Sequence, residues 1–195
     1  MFRQGFDLVS YVQPIWNTAQ GRPFEQSIYA GTDTILGVDL FLVHGWLALP
    51  YALVPGYPTL FVILTAATAL GGLAVYLIAR DAFGSGLAAL AAGLLDLGNL
   101  TGQNVTPYEF RPRLIAATAL LFAFWCQRRG RVWPFWLAVL VAITVRLDVA
   151  LVVAGLGLYG VVTRRPWALG LLPMLVAAGY WLLGLLVMVP ALRQG

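Results

Sequence analysis

Apolar residues in this chain come in long charge-free runs separated by short polar breaks. Residues 40–79 carry no Asp, Glu or Arg. A bilayer core takes about 20 apolar residues per helix, so this stretch holds up to two. Val54-Pro55-Gly56-Tyr57-Pro58 is a strong turn signal inside it. The pattern predicts a clear span over 58–79, ending at Arg80-Asp81. Gly84-Ser85-Gly86 opens a further helix to about Gly98, interrupted by one charge, Asp96. Residues 99–113 are polar, contain Pro107 and Pro112, and read as a loop. Apolar runs follow over 114–127, 132–145, 149–162 and 167–192. They are closed in turn by Arg128-Arg129-Gly130-Arg131, Arg146-Leu147-Asp148, Arg164-Arg165-Pro166 and Arg193. Fourteen residues, as in 114–127, rise only ~21 Å in a helix, against a core of ~30 Å. The short runs therefore borrow flanking residues, and Arg113, Arg128 and Arg146 are placed to snorkel to the interface.

Composition agrees. Of 195 residues, 61% are hydrophobic and 10% charged, with a mean hydropathy of +0.83. A soluble domain is about 45–50% apolar and about 25% charged. These values exclude a lone soluble enzyme, a nucleic-acid-binding domain and a disordered chain, and leave an integral membrane protein. All twelve basic residues are Arg, and the formal charge is +4. They are too scattered for a phosphate-tracking stripe, so no nucleic-acid partner is expected. The single Cys126 excludes an internal disulfide. It reads as a passive apolar residue or as a palmitoylation site beside Arg128 and Arg129. The single His44 excludes a multi-His zinc site. Residues 1–20 do not show the basic end and apolar core of a signal peptide, and read as a polar, aromatic-rich loop.

The arginines predict an orientation. Arg80, Arg128, Arg129, Arg131, Arg164 and Arg165 fall at alternate helix ends with one acid, Asp81. The opposite ends hold Arg3, Arg22, Arg111, Arg113, Arg146 and Arg193 with seven acids, Asp96 included. The positive-inside rule puts the first set in the cytoplasm. Six spans follow: 58–79, 86–100, 112–127, 131–148, 149–163 and 167–192. Residues 39–54 are left open. If they span, residues 1–38 are cytoplasmic; if they lie along or dip into the outer face, residues 1–38 are extracytoplasmic. The length of about 16 residues and the Trp, Tyr and Pro content fit a surface-lying helix.

Candidate chemistry lies on the outer side. Asp7, Tyr11, Gln13, Trp16 and Asn17 recur at helical spacing and form a polar, aromatic face. In one reading Asp7 is a general base or metal-linked carboxylate. In the other it is the N-cap of an interfacial helix, with Tyr11 and Trp16 in the aromatic belt. Tyr108-Glu109-Phe110-Arg111-Pro112-Arg113 and Arg146-Leu147-Asp148 form two more clusters. Guanidinium groups fork onto phosphate oxygens, so Arg111, Arg113 and Arg146 are candidates for a lipid phosphate. The alternative is a polar hairpin turn with Arg146 and Asp148 paired. Asp96 is either an intramembrane functional acid or a water-reaching helix end. Asn99-Leu-Thr101 and Asn104-Val-Thr106 match the glycosylation pattern only weakly. The glycines at 71, 72, 155, 157 and 160 read as close-packing positions.

The string D-L-x-x-[YF]-x-Q-x-x-W-N-T-x-x-G-R-P-F, Asp7 to Phe24, resembles the opening motif of the domain-of-unknown-function 2079 family of predicted membrane proteins. So do Ala48-Leu-Pro-Tyr51, Phe110-x-Pro112, and Arg146-x-Asp148 followed by Ala154-Gly-Leu-Gly-Leu-Tyr159. The family looks like a relative of the GT-C glycosyltransferases, multi-span enzymes that use polyprenyl-phosphate-linked sugars. The resemblance implies that Asp7 is the first catalytic acid and that Asp148 is the acid of a K-E-D-like motif, with Arg146 for its Lys. The chain departs from the pattern at Val12 (a second acid expected), Asp39 (His expected), Arg111 (His expected), Arg113 (acid expected) and Leu147 (acid expected). The resemblance also implies a juxtamembrane 39–54, an outer 1–38, a span before Met1 and further spans after Gly195.

The expectation is an all-α integral membrane protein of the bacterial plasma membrane. It has about six transmembrane helices plus an outer juxtamembrane segment, GT-C-like, in a single membrane domain. Residues 1–57 are its extracytoplasmic loop and juxtamembrane helices, and 58–195 its six-span bundle. In the first functional reading the protein transfers a sugar from a polyprenyl-phosphate donor. Asp7 is then the base, Arg111, Arg113 and Arg146 hold the phosphate, and Glu109 and Asp148 orient the arginines or bind a divalent cation. Gln13, Trp16 and Asn17 line the substrate site. In the second reading it is a non-catalytic subunit or lipid-binding partner in a membrane complex. A transporter is third.

Overall fold

The computed structural model describes residues 3–98 and 110–193, with side chains from Leu8 onward. The described residues are helical, and no strand occurs among them beyond one isolated bridge between Glu25 and Thr34. The helices are α1 (Arg3–Ala19), α2 (Val43–Leu53), α3 (Tyr57–Phe83), α4 (Gly86–Leu97), α5 (Arg113–Arg128), α6 (Val132–Ile143), α7 (Val149–Val162) and α8 (Leu171–Leu183). A π-helical turn (Gly184–Met188) joins α8 to the short α9 (Val189–Arg193).

The polar-loop reading of residues 1–20 is overturned over Arg3–Ala19. Leu8, Val12 and Ile15 recur at helical spacing and pack against the cluster that contains Val43 and Leu47. Asp7 lies inside α1, four residues after its first residue, and is not its N-cap. The predicted break before α3 holds: Gly56 takes a φ of 134° that side chains disfavour, and Pro58 sits in the first turn. α3 continues past the expected end at 79. Arg80 and Asp81 are compatible with a helix, and only Gly84, at φ 66°, supplies the left-handed stop.

Among the described residues, two segments are long and apolar enough to cross a membrane, Tyr57–Phe83 and Trp167–Arg193. Only 28% and 17% of their apolar windows are buried, so their side chains mostly face outward, as in lipid rather than in a soluble core. α4, α6 and α7 are apolar but shorter, at 12, 12 and 14 residues. α4 ends with the Leu97 side chain over Gly72, near the middle of α3. Asp96 is exposed in its last turn. The glycosylation-like asparagines and Glu109 lie outside the described residues.

The helices pack as antiparallel hairpins, α3 with α4, α5 with α6 and α7 with α8, with α3 beside α5. In lipid there is little hydrophobic force between helices, so small residues and polar bonds decide the contacts. Thr118 Oγ1 of α5 donates to the Ala67 carbonyl of α3 at 2.8 Å. A Cβ on Gly93 would lie 3.0 Å from the Gly72 carbonyl oxygen. Buried Gln127, at the end of α5, donates to the carbonyls of Leu156 (2.7 Å) and Leu169 (2.6 Å), tying α7 and the start of α8 to it. Asp81 accepts from Arg129 Nε at 2.8 Å and from Trp125 Nε1 at 3.0 Å, tying α3 to the same end. The end of α3, the α5–α6 turn and the α7–α8 turn thus gather at one end, which carries the six arginines grouped by the sequence. The other end carries the mixed charges.

A Cβ at Gly160 would collide with the Leu169 carbonyl and lie 2.8 Å from Gln127 Nε2, whereas one at Gly155 would meet nothing within 4 Å. Gly160→Ala is expected to destabilise the chain by about 1–3 kcal/mol, and Gly155→Ala to leave it unchanged. Thermal unfolding in detergent, followed by circular dichroism, checks the pair.

Candidate functional site

The mixed-charge end is organised around Asp39. It precedes α2, in a stretch shaped by the 3-10 turn Ile35–Gly37. One carboxylate oxygen accepts from the backbone N–H of Leu40 (2.8 Å) and of Leu147 (3.1 Å), 108 residues away. The other lies 3.1 Å from Arg146 Nε. That nitrogen is also 3.3 Å from Asp148, aligned for a hydrogen bond with neither, so the contacts are ion pairs. The guanidinium stands 5.7 Å from the Phe41 ring centre, within cation–π range. Arg146 and Asp39 are largely buried, with side chains 23% and 15% exposed. Arg113 approaches Asp148 at 4.0 Å and stays 61% exposed.

The same turn is stitched to α2 twice more. Val43 N–H donates to the Thr144 carbonyl at 2.8 Å, and Trp46 Nε1 donates to the Thr144 hydroxyl at 3.1 Å. Behind it, His44 is fully buried, with Tyr11 and Phe41 ring centres 6.0 and 5.5 Å away. Its Nδ1 lies 3.1 Å from the Phe41 carbonyl. The neutral ring can donate there, and Nε2 has no hydrogen-bond partner among the described residues. α2 has 11 residues and rises only ~16 Å, too short to cross a bilayer. Burial pushes the His44 pKa down to about 4, against a smaller opposing effect of the Phe41 carbonyl. The ring is therefore neutral at pH 7. Tyr180 of α8 buries its hydroxyl, which has no hydrogen-bond partner among the described residues.

The structure brings together Arg113, Arg146 and Asp148 of the expected set. It spends two others on a loop. Gln13 exchanges hydrogen bonds with Ser27, donating at 2.8 Å and accepting at 3.2 Å. Buried Asn17 donates to the Glu25 carbonyl at 2.9 Å and accepts from Arg22 at 2.8 Å. Trp16 is exposed, with the Arg22 guanidinium 5.3 Å from its ring. Arg111 is exposed beside buried Phe110. The side chain of Asp7 and all of Glu109 lie outside the described residues. Asp39 was missed among the candidate residues, although it was visible as the acid where the family motif expects His. No group of three His, Cys, Asp or Glu side chains that could hold a metal occurs among the described residues. Asp39 and Asp148 share Arg146, an arrangement suited to an arginine rather than a divalent cation.

The fold and the exposed apolar helices define a helical membrane protein. The chain belongs to the family described as predicted membrane protein (DUF2079), whose pattern matches residues 1–195. No curated protein and no solved structure matches it.

Replacing Asp39 by Ala removes the acceptor of two backbone N–H groups and half of the cage around Arg146. The expected loss is about 2–4 kcal/mol. Asp39→Asn retains an acceptor and is expected to lose less. Denaturant unfolding of the two variants in detergent separates the hydrogen-bonding role from the ionic one.

His44 makes stability pH-dependent. The unfolded histidine takes up a proton near pH 6.5, where the folded one does not. Stability is therefore complete above about pH 6.5 and falls as the pH drops towards 4, by about 3 kcal/mol in all. Melting temperatures across that range should show the fall in the native chain and lack it in His44→Phe.

Proposed function

We propose that the chain is a GT-C-like membrane domain of six spans that transfers a sugar from a polyprenyl-phosphate donor on the extracytoplasmic face of a bacterial plasma membrane. The reading rests on one observation: exposed Arg113 stands beside Arg146, which two carboxylates hold in place, at the end of the bundle opposite the arginine-rich end. A fixed cation and an accessible one together suit a phosphate leaving group, whose developing charge they stabilise. Arg111 extends the same face. Asp7 acts as general base on the acceptor hydroxyl, and Glu109 and Asp148 orient the arginines. In this topology residues 1–57 form the outer loop and juxtamembrane helices, and 58–195 the bundle.

A second reading is a non-catalytic subunit or lipid-binding partner within a membrane complex. It draws on Gln13 and Asn17, which are bonded within the chain instead of to a ligand. Under the first reading Asp7→Ala abolishes transfer from a polyprenyl-phosphate sugar, and Arg113→Ala lowers it by about tenfold or more. Both variants should elute as folded protein. Normal turnover by Asp7→Ala overturns Asp7 as the base, and no transfer by the native chain overturns the transferase. A native chain that transfers nothing but co-purifies stoichiometrically with a larger membrane complex supports the second reading.

A further inference from the structure

A groove of about 440 Å³ runs between α3, α5 and α6. Leu70, Phe122, Trp125, Leu137 and Val141 line it, and the hydroxyl of Thr118, also on its wall, is already bonded to the Ala67 carbonyl. Apart from the weakly donating thiol of Cys126, the groove offers no free hydrogen-bonding side chain among the described residues, and its occupant must be hydrocarbon. It follows α5 from Ile115 to Cys126, a rise of ~16 Å. That is about half of a ~30 Å bilayer core. An acyl chain of one leaflet has this reach.

One mouth of the groove is strongly cationic. Arg129 and Arg131 lie 5.7 and 5.3 Å from the Trp125 ring centre. Arg129 is engaged by Asp81. Arg131 has no ion pair among the described residues and occupies the N-cap position of α6, where no side chain caps the helix. The first N–H groups of α6 and its dipole favour an anion at that point. Pro134, in the first turn of α6, also lines the groove, so the cationic mouth and the apolar channel are continuous.

We propose that this groove binds one acyl chain of an anionic phospholipid from the leaflet at the arginine-rich end, with its headgroup phosphate on Arg131 and the start of α6. The cationic mouth is at the end opposite the mixed charges, and the proposal does not depend on the transferase reading.

The test uses the purified full chain and native mass spectrometry, titrating phosphatidylglycerol against phosphatidylcholine with the same acyl chains. The native chain should bind phosphatidylglycerol about fivefold more tightly, the contribution of one basic side chain near the headgroup. Arg131→Gln should remove that preference and leave phosphatidylcholine binding unchanged. Arg164→Gln, at the same end but away from the groove, should keep it. Ala138→Trp, which fills the groove, should weaken both lipids. Equal effects of R131Q and R164Q, or no lipid preference at all, overturn the proposal. Because A138W can fail to fold, quenching by phosphatidylglycerol with brominated acyl chains provides an independent reading of the groove. Quenching should fall in Trp125→Phe; unchanged quenching overturns the proposal. A protein partner that co-purifies and displaces the lipid from the groove overturns it too.

Discussion

The carboxylate of Asp39 joins parts of the chain that are otherwise far apart. It accepts from the backbone at Leu147, pairs with Arg146, and so fixes the α6–α7 turn against the segment leading into α2. Without it, Arg146 would sit largely buried with Asp148 as its remaining carboxylate, and the Leu147 N–H would lose its acceptor. Buried charge is tolerated only when paired and hydrogen-bonded. The position of Arg113, of Phe41 beneath the guanidinium and of the Thr144 contacts with α2 all follow from that requirement.

The opposite end is held by a different device. Gln127 reaches two carbonyls on neighbouring elements, and Gly160 leaves room for it to do so. Asp81 gathers Arg129 and the Trp125 indole onto the end of α3. Between these polar ends the helices pack through small residues and a few buried large ones such as Leu64 and Phe135, and many of their other large apolar side chains are exposed. This division matches a molecule whose middle is solvated by lipid: hydrogen bonds are placed where helices meet, and apolar bulk is placed outside.

Much of the helix pattern was legible in the chain, because charge-free runs and Gly/Pro punctuation act locally. The start of α3 at Val54–Pro58 and the starts of α4 and α7 follow from such signals. One element read less well. Residues 1–20 read as a loop at one level and as an amphipathic segment over Asp7–Asn17 at another, and the helix Arg3–Ala19 is secured by Leu8, Val12 and Ile15 packing against the cluster that contains Val43 and Leu47. α4 ends at Leu97, capped by Gly98, where the chain itself marks the end; the seat of the Leu97 side chain over Gly72 follows from its pairing with α3.

The candidate site divides in the same way. The class of protein, the two charge populations and the charged cluster Arg146-Leu147-Asp148 were readable along the chain alone, since hydropathy and charge spacing are properties of neighbours. Only the tertiary structure decided that Asp39 completes that cluster, that Gln13 and Asn17 serve the loop, and that His44 is buried and neutral. Each depends on contacts between residues far apart or on removal from water, neither of which a linear pattern encodes.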